Sequence, residues 1–513
     1  MIVPEDRRRS RFTLAMGVLA ALAIAGATLL GLFQGISPVR GDGLAAQETT
    51  WDNLTVDNLV ANYIDTGGES CDSLSAEVID AITLRADSLA APITGAAICV
   101  AGVDSPQWQK DQAQYVCDGV ADQVEINTAI ASVPTGAYVH LDTAHFSVND
   151  SVVTAHNLIL EGEGKGNTII TQADGANIAN GVIYANGKFN RGILRELAVE
   201  GNAANNPNGT YGVYLRGAWY ARVENVYVQH CKKDGFRFSN TAGNIYCGEL
   251  YIDNCGSMYN GGSGYVLAAC GDSYCTDDYA YSNTAAGFQV DGAHNTFVSC
   301  HPYYNYGNGM QASQWGWHGA YIDCSLDNNF KNGLSLAGDM SRVIACVAAG
   351  NGLAADNTYD GIRVGSQWNT LMGNCAFDST TNKAGRLIQR YGIAEVSIAG
   401  STPDYNTYVG NMTTPNVSGT MSVVGLHDQV EVNTGFVTDA HGAAVIPAGS
   451  TSVTVPHGLS VTPTLVEVTP RNAPTNAIGY WWVDSEDGSA FTVHVQNDPG
   501  ASGWSLWWRA RAW

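Results

Sequence analysis

Charge is scarce in this sequence. Only 14% of its 513 residues are charged, and 25 basic residues face 48 acidic ones. Five of the basic residues (Arg7, Arg8, Arg9, Arg11 and Arg40) fall within the first 40 positions, beside Glu5 and Asp6. The remainder therefore carries 20 basic and 46 acidic residues, a net charge of −26. Such a surface repels phosphate backbones and anionic lipid, which argues against nucleic acid as a partner; the acidity reads first as a solubility device. Also missing is any CxxC pair or Cys/His cluster with metal-ligand spacing, so no metal site is expected from the 12 cysteines. What is abundant excludes other classes. With 24 Tyr and 12 Trp the chain is too aromatic for disorder. Its 58 Gly and many Asn favour turns over helix interiors, against a helical protein.

One long run has no charge at all. Residues 12–36 read FTLAMGVLAALAIAGATLLGLFQGI, and about 20 apolar residues suffice to cross a bilayer. The arginines ahead of it, after a tail of residues 1–11, place the N-terminus in the cytoplasm and the rest outside. A cleaved signal peptide is the competing reading, with Ala25, Gly26 and Ala27 as cleavage residues. The run exceeds the usual core of about 7–15 residues, which favours an uncleaved transmembrane anchor. RRRSRF resembles a twin-arginine signal only loosely, because Phe12 comes one place late. On either reading the bulk of the chain is exported, to the cell surface or beyond.

A short unit, glycine followed by apolar, variable and apolar residues, recurs through the middle. It begins at Gly212 (GVYL), Gly235 (GFRF), Gly264 (GYVL), Gly287 (GFQV), Gly309 (GMQA), Gly333 (GLSL), Gly361 (GIRV) and, more weakly, Gly385 (GRLI). Successive glycines are 23, 29, 23, 22, 24, 28 and 24 residues apart. The alternation marks a short strand with two side chains in and one out, preceded by a turn at the glycine. Asn283, Asn305 and Asn329 each lie four residues before such a glycine, and Cys231 holds the same place earlier. Coils stacked at about 4.8 Å turn such residues into columns whose amides bond the backbone of the next coil. Cys300, Cys324, Cys346 and Cys375 are expected to form an interior ladder of the same kind. Disulfides remain an alternative in an exported protein, with Cys71, Cys99, Cys117, Cys247, Cys270 and Cys275 as further candidates.

Upstream, YVCDGVADQVEINTAIASVPTG holds an Asp118-Gly119 turn, then helix-compatible spacing over 120–132 at Val124, Ile126 and Ile130. AYVHL, NLILEGEG and NTIITQ follow as alternating strands. This stretch resembles the start of pectin-lyase-like right-handed parallel β-helix proteins, where a DG-x-x-D…I-x-x-AI helix caps the solenoid and an L-x-G-x-G coil follows. The resemblance covers residues 99–425 and implies an all-β, single-stranded solenoid with coils of 22–29 residues. Residues 37–98 read as a stalk of short strands, a feature often trimeric in fibre proteins, so a homotrimer is an expectation by analogy. Residues 426–513 switch to antiparallel alternation with Gly/Pro/Asn turns, a small β-sandwich. That end resembles the tips of phage tail fibres and, loosely, H-type lectins with their closing W-x-A strand.

β-Helix relatives that hydrolyse polygalacturonate place NTD, DD, GHG and RIK at or just before the Gly-led strand. Here only Asp234 and Asp360 are acidic there, separated by five coils or about 24 Å, too far to flank one bond. A lyase needs a base and a way to neutralise a uronate carboxylate, often Ca²⁺. The outward row of the Gly-led strand is Tyr214, Arg237, Val266, Gln289, Gln311, Ser335 and Arg363. The acids Asp253, Asp277, Asp278 and Asp323 fall on the preceding strand, as a dyad, a Ca²⁺ site or solvated outward positions. Aromatic residues (Tyr279, Tyr281, Tyr303, Tyr304, Tyr306, Trp315, Trp317 and Tyr321) crowd about three coils. Outward rings would stack on sugars beside His301, Gln289 and Gln311; alternation sends about half of them inward. The expected function is recognition of a polysaccharide by an anchored surface protein, catalysis unproven. The alternatives are a depolymerase, lyase before hydrolase, with Asp277, Asp278, Asp253, Asp323 and Arg237 as catalytic candidates, and a virus-derived attachment fibre.

Overall fold

The computed structural model describes residues 98–513 except 134–136, 244, 399 and 513, with the strands Leu54–Ala61, Ile64–Asp65, Leu74–Ala81 and Leu84–Arg85. The expected anchor at 12–36 lies outside the described residues, as do Cys71 and Trp513; among the described residues no helix is long and apolar enough to cross a membrane. The chain divides into two compact units, residues 1–93 and 94–513. In the first, Leu54–Ala61 pairs in parallel with Leu74–Ala81, Leu54 opposite Leu74, and Ile64–Asp65 pairs with Leu84–Arg85.

The second unit is a parallel solenoid of three faces. The Gly-led strands form face one, an 11-stranded sheet running from Val152–Val153 to Gly419–Ser422. Its register reproduces the expected outward row, Tyr214 opposite Arg237, then Val266, Gln289, Gln311, Ser335 and Arg363. Its last member differs: Gly385 lies outside any strand, and Gly392 leads Tyr391–Glu395 instead. Face two runs from Ile98–Ala101 and Tyr138–Leu141 through Tyr251–Asp253 and Ala320–Ile322 to Gln429–Glu431, so the solenoid continues past residue 425. Face three includes Ala144–Val148, Tyr279–Tyr281, His301–Tyr303 and Cys375–Phe377. Ile193–Glu200 and Arg222–Gln229 pass continuously from face two to face three.

The corners explain much of the composition. Between faces two and three one residue per coil turns left-handed, among them Asn225, Asn254, Asp277, Ser299, Asp323 and Gly373. Asn, Asp and Gly tolerate that conformation best. The next residue points inward and forms a column: Cys255, Asp278, Cys300, Cys324, Cys346, Asn374, Asn411, Asn433. Asn374 thus takes the place expected of Cys375, which is only half-buried at the start of the next strand. After face three, Cys231, Asn260, Asn283, Asn305, Asn329 and Asn351 form a second column. Each backbone N–H donates to the next side-chain oxygen at 2.9–3.1 Å. Eleven of the cysteines are free thiols, and Cys247 faces Cys270 with sulfurs 3.4 Å apart.

From Gly212 to Gly361 the Gly-led positions do not have positive φ, so they are not the tight turns expected. They are glycine because coils touch there: a Cβ on Gly309 would lie 2.6 Å from the Gly333 carbonyl and 2.7 Å from Asn329 Nδ2. Inside, aromatic rings stack from coil to coil: Phe236 on Tyr265 at 4.9 Å, Tyr265 on Phe288 at 4.4 Å, Phe297 on Tyr321 at 5.3 Å. Each such pair contributes about 0.5–1.5 kcal/mol beyond area burial.

The helix Gln123–Ser132 closes the first coils through buried Ile126, Ala129 and Ile130, while Val124 faces solvent, contrary to the spacing expected. A second short helix, Gln107–Gln112, precedes it. At the other end two three-stranded antiparallel sheets, Asp439–Ile446/Trp504–Arg511/Leu465–Pro470 and Ser452–Pro456/Ala490–Val495/Trp481–Asp484, share one apolar core. Trp504 and Trp508 belong to that core; Trp481, Trp482 and Trp507 are exposed.

Candidate functional site

Face three presents alternate positions to solvent, and between Tyr227 and Tyr303 aromatic side chains concentrate there. Tyr227, Gly256, Tyr279 and His301 are successive neighbours in one outward row. Met258, Tyr281, Tyr303 and Asp327 form the next row. The left-handed corner beyond adds His230, Tyr259 and Tyr304. The rings touch one another: Tyr281 stacks on Tyr303 at 4.7 Å and His301 on Tyr303 at 4.3 Å. Tyr259 meets Tyr281 edge-on at 5.1 Å, and His230 stacks on Tyr259 at 5.4 Å. Gly256 is what joins Tyr279 to Tyr227. A Cβ there would sit 2.4 Å from the Tyr279 ring, which folds across the gap to reach Tyr227 at 5.5 Å.

Charges border the rings. The Lys383 ammonium lies 4.7 Å from the Tyr304 ring centre and that of Lys165 lies 3.8 Å from Tyr227. Burial raises the Tyr227 phenol, but contacts with Lys165 and Tyr279 outweigh it and hold the group below its usual range. Burial pushes Tyr279 the other way, well up. The Tyr259 hydroxyl keeps the Tyr281 phenol low. His301 Nε2 lies 2.6 Å from Asp327 Oδ1; despite burial, hydrogen bonds from His301 and Asn328 hold that carboxyl below the ordinary range. The array offers flat faces for sugar rings, with an imidazole, a carboxylate and two ammonium groups at its margin.

Five of the residues expected to bind substrate are therefore brought together: Tyr279, Tyr281, Tyr303, Tyr304 and His301. The others are not. Gln289 and Gln311 are neighbours on face one, with Gln289 Nε2 donating to Asp291 at 2.9 Å. Trp315 and Trp317 lie on the loop between faces one and two, Trp317 beside His294 at 5.4 Å. Tyr321 is core, and exposed Tyr306 stacks on Phe330 at 4.3 Å. Tyr227, Tyr259, His230, Lys165 and Lys383 escaped the sequence reading, although period-22-to-29 spacing from Tyr279 and Tyr281 leads back to Tyr227 and Tyr259.

The acidic candidates scatter. Asp278 is wholly buried, accepts the Cys255 N–H at 2.8 Å, and leaves its second oxygen without a partner. Burial drives its carboxyl far up, and the side chain is a rung of the thiol column and not a solvent-facing acid. Asp277 and Asp323 occupy the left-handed corner two coils apart, about 10 Å. Asp253 sits on face two, bonded by Thr276. Among the described residues these four acids form no cluster able to hold a metal. Arg237 lies on face one, bonded to Asp234 at 3.0 Å and packed against Tyr211 and Tyr214. Asp360, the other acid at a Gly-led strand, is tied to Arg390 at 2.7 Å.

Comparison with known proteins agrees with this architecture. Residues 183–351 match the family model described as a right handed beta helix region. The Azotobacter vinelandii mannuronan C-5 epimerase AlgE6 A-module is similar at 21% identity and TM-score 0.51, over 62% of this chain and 96% of that one. The tailspike protein gp49 of Pseudomonas phage LKA1 is 12% identical over 75% of this chain and 95% of its own, at TM-score 0.47. Pectate lyase Pel9A is 17% identical over 67% and 81%, at TM-score 0.38. None of the proteins of curated function matches the chain by sequence. The fold is a right-handed parallel β-helix.

Proposed function

We propose that the protein is a membrane-anchored surface protein that binds a polysaccharide along face three. The observation that carries this reading is the run of touching rings on the outside of successive coils, one cluster of Tyr259, Tyr281, Tyr303, Tyr304, His230 and His301 and beside it the pair Tyr227–Tyr279. Rings on consecutive rungs suit an extended polymer better than a compact ligand. The basic tail and uncharged run at 12–36 support an N-terminal anchor, and the acidic remainder supports an exported, soluble body. A homotrimer through the stalk at 37–98 belongs to the same proposal. In a panel of neutral and acidic polysaccharides, the full-length protein retains at least one in a co-sedimentation assay. Y281A and Y303A each weaken that binding roughly tenfold, on the order of 1–3 kcal/mol per lost stacking ring. Undiminished binding by the Y281A/Y303A double variant would overturn the reading.

A second reading, processing of the bound polymer, is favoured by Tyr227. A phenol held low beside an ammonium is suited to remove the proton next to a uronate carboxylate, with Lys165 as its counter-charge. Departure of the glycosidic oxygen from the β-carbon as that proton is taken breaks the chain and leaves an unsaturated end that absorbs in the ultraviolet, and Y227F abolishes this turnover while leaving binding in place. Activity lost instead in R237Q would move the chemistry to face one. A Ca²⁺ requirement remains part of this reading alone.

A further inference from the structure

His140, Asp142 and Glu163 meet near the capped end of the solenoid, His140 on the second strand of face two, Asp142 just after it, and Glu163 just after the third. Their ligand atoms all lie within 4.8 Å of one another. His140 Nε2 is 3.5 Å from Glu163 Oε1 and 3.7 Å from Asp142 Oδ1. Two ligands of a tetrahedral Zn²⁺ with bonds of about 2.0–2.1 Å lie about 3.4 Å apart, close to both separations. For a direct hydrogen bond the same distances are long.

Two side chains here are buried, and one of them keeps an unpaired oxygen. Asp142 is 5% exposed, yet among the described residues no donor bonds its carboxylate. Gln109, 4% exposed on the helix Gln107–Gln112, donates from Nε2 to Glu163 Oε1 at 2.9 Å, while its own Oε1 is buried and unpaired. Around them the ligands are already oriented. The Tyr138 hydroxyl lies 3.3 Å from His140 Nδ1, which leaves Nε2 facing the acids, and Thr143 bonds the other Glu163 oxygen. Such outer partners are what fixes the tautomer and aim of metal-binding histidines.

We propose that His140 Nε2, Asp142 and Glu163 hold a first-row divalent cation, Zn²⁺ before others, with the Gln109 amide oxygen as fourth donor. Imidazole with two carboxylates suits Zn²⁺ better than Ca²⁺, which takes six or more oxygens, or Mg²⁺, which avoids such mixed cages. The ion ties the short helix, the coil of Tyr138–Leu141 and the turn after Ile159–Glu161 together, adding to the bonds that Gln109 and Thr143 make to Glu163. It does not depend on the polysaccharide reading, since the tyrosine array lies further along the solenoid.

The test is titration of chelator-stripped full-length protein with ZnCl₂ alone, against a chromophoric zinc indicator. One Zn²⁺ binds per chain, and the midpoint of thermal unfolding rises with free Zn²⁺. H140A, D142N and E163Q each reduce affinity tenfold or more, whereas H145A, at an exposed histidine bound to Asp104, does not. Absence of binding at micromolar Zn²⁺, or equal affinity in all three variants, overturns the assignment. Should the variants fail to fold, zinc-edge X-ray absorption of the unmodified protein decides. A shell of nitrogen and oxygen supports the site, and sulfur ligands point to the thiol columns and sink it.

Discussion

Asp428 stands where a run of corner amides ends. It accepts the Asn406 N–H at 2.8 Å, has its other oxygen buried with no donor among the described residues, and lies close to Glu395, itself bonded by Asn406, Tyr408, Val424 and Gly425. Burial first, then the Glu395 charge, pushes its carboxyl up to about 7. Folding thus favours the protonated acid. Its contribution to stability is complete below the ordinary carboxylate range and is lost as pH rises through about 7. D428N, which keeps an oxygen for Asn406, should unfold at a higher temperature than the unmodified protein at pH 8 and show no such advantage at pH 4, measured by differential scanning calorimetry. Gly309 makes the opposite case, a residue defined by contact alone. G309A forces its new methyl against the Gly333 carbonyl and costs about 1–3 kcal/mol in denaturant unfolding.

At the scale of the element, the asparagine column does what strand pairing cannot. Asn305 accepts from the Asn283 N–H and Nδ2 and donates to the Ala280 carbonyl and Asn329, all between 2.8 and 3.1 Å. N305A strands the Asn283 N–H and Ala280 carbonyl in the interior, each at about 1–3 kcal/mol, so the unfolding midpoint in denaturant should fall sharply. This column was legible in the sequence because Asn283, Asn305 and Asn329 keep a fixed distance from glycines that are themselves periodic. The thiol column was read less well. Cys375 matched the period within the tolerance of variable coils, and only the position of the left-handed Gly373 shows that Asn374 turns inward. Asp278 was misread for the same reason: Asp277 and Asp278 are alike in sequence, and one residue of phase separates a solvated corner from the core. The tyrosine array was half legible. Strand alternation placed Tyr279, Tyr281 and Tyr303 outward, but no local pattern announces that Gly256 lets Tyr279 lean back to Tyr227.

Across the whole second unit, every strand of the solenoid is paired except at its ends, and each end is covered. Residues 426–434 complete the last coil, after which the antiparallel module closes over it. The Thr438 hydroxyl donates to the Val430 carbonyl at 2.8 Å, Val437 and Ser460 exchange backbone and side-chain bonds, and Val461 packs against both cores. A chain ending at residue 434 leaves those parallel edges open as a template for further strands. It should form elongated oligomers on light scattering, while the full-length protein keeps a concentration-independent size.

The columns also bear on how the chain is made. Each coil bonds mainly to its neighbouring coil, one turn of the solenoid away in sequence, so few of the helix's bonds wait for a distant partner. The helix-capped coils emerge first from the ribosome and can serve as the seed on which each later turn is laid down. Growth of this kind is vectorial: it moves in the direction of synthesis, and at any moment only the newest rung is sticky. The C-terminal module arrives last, and its docking ends that exposure.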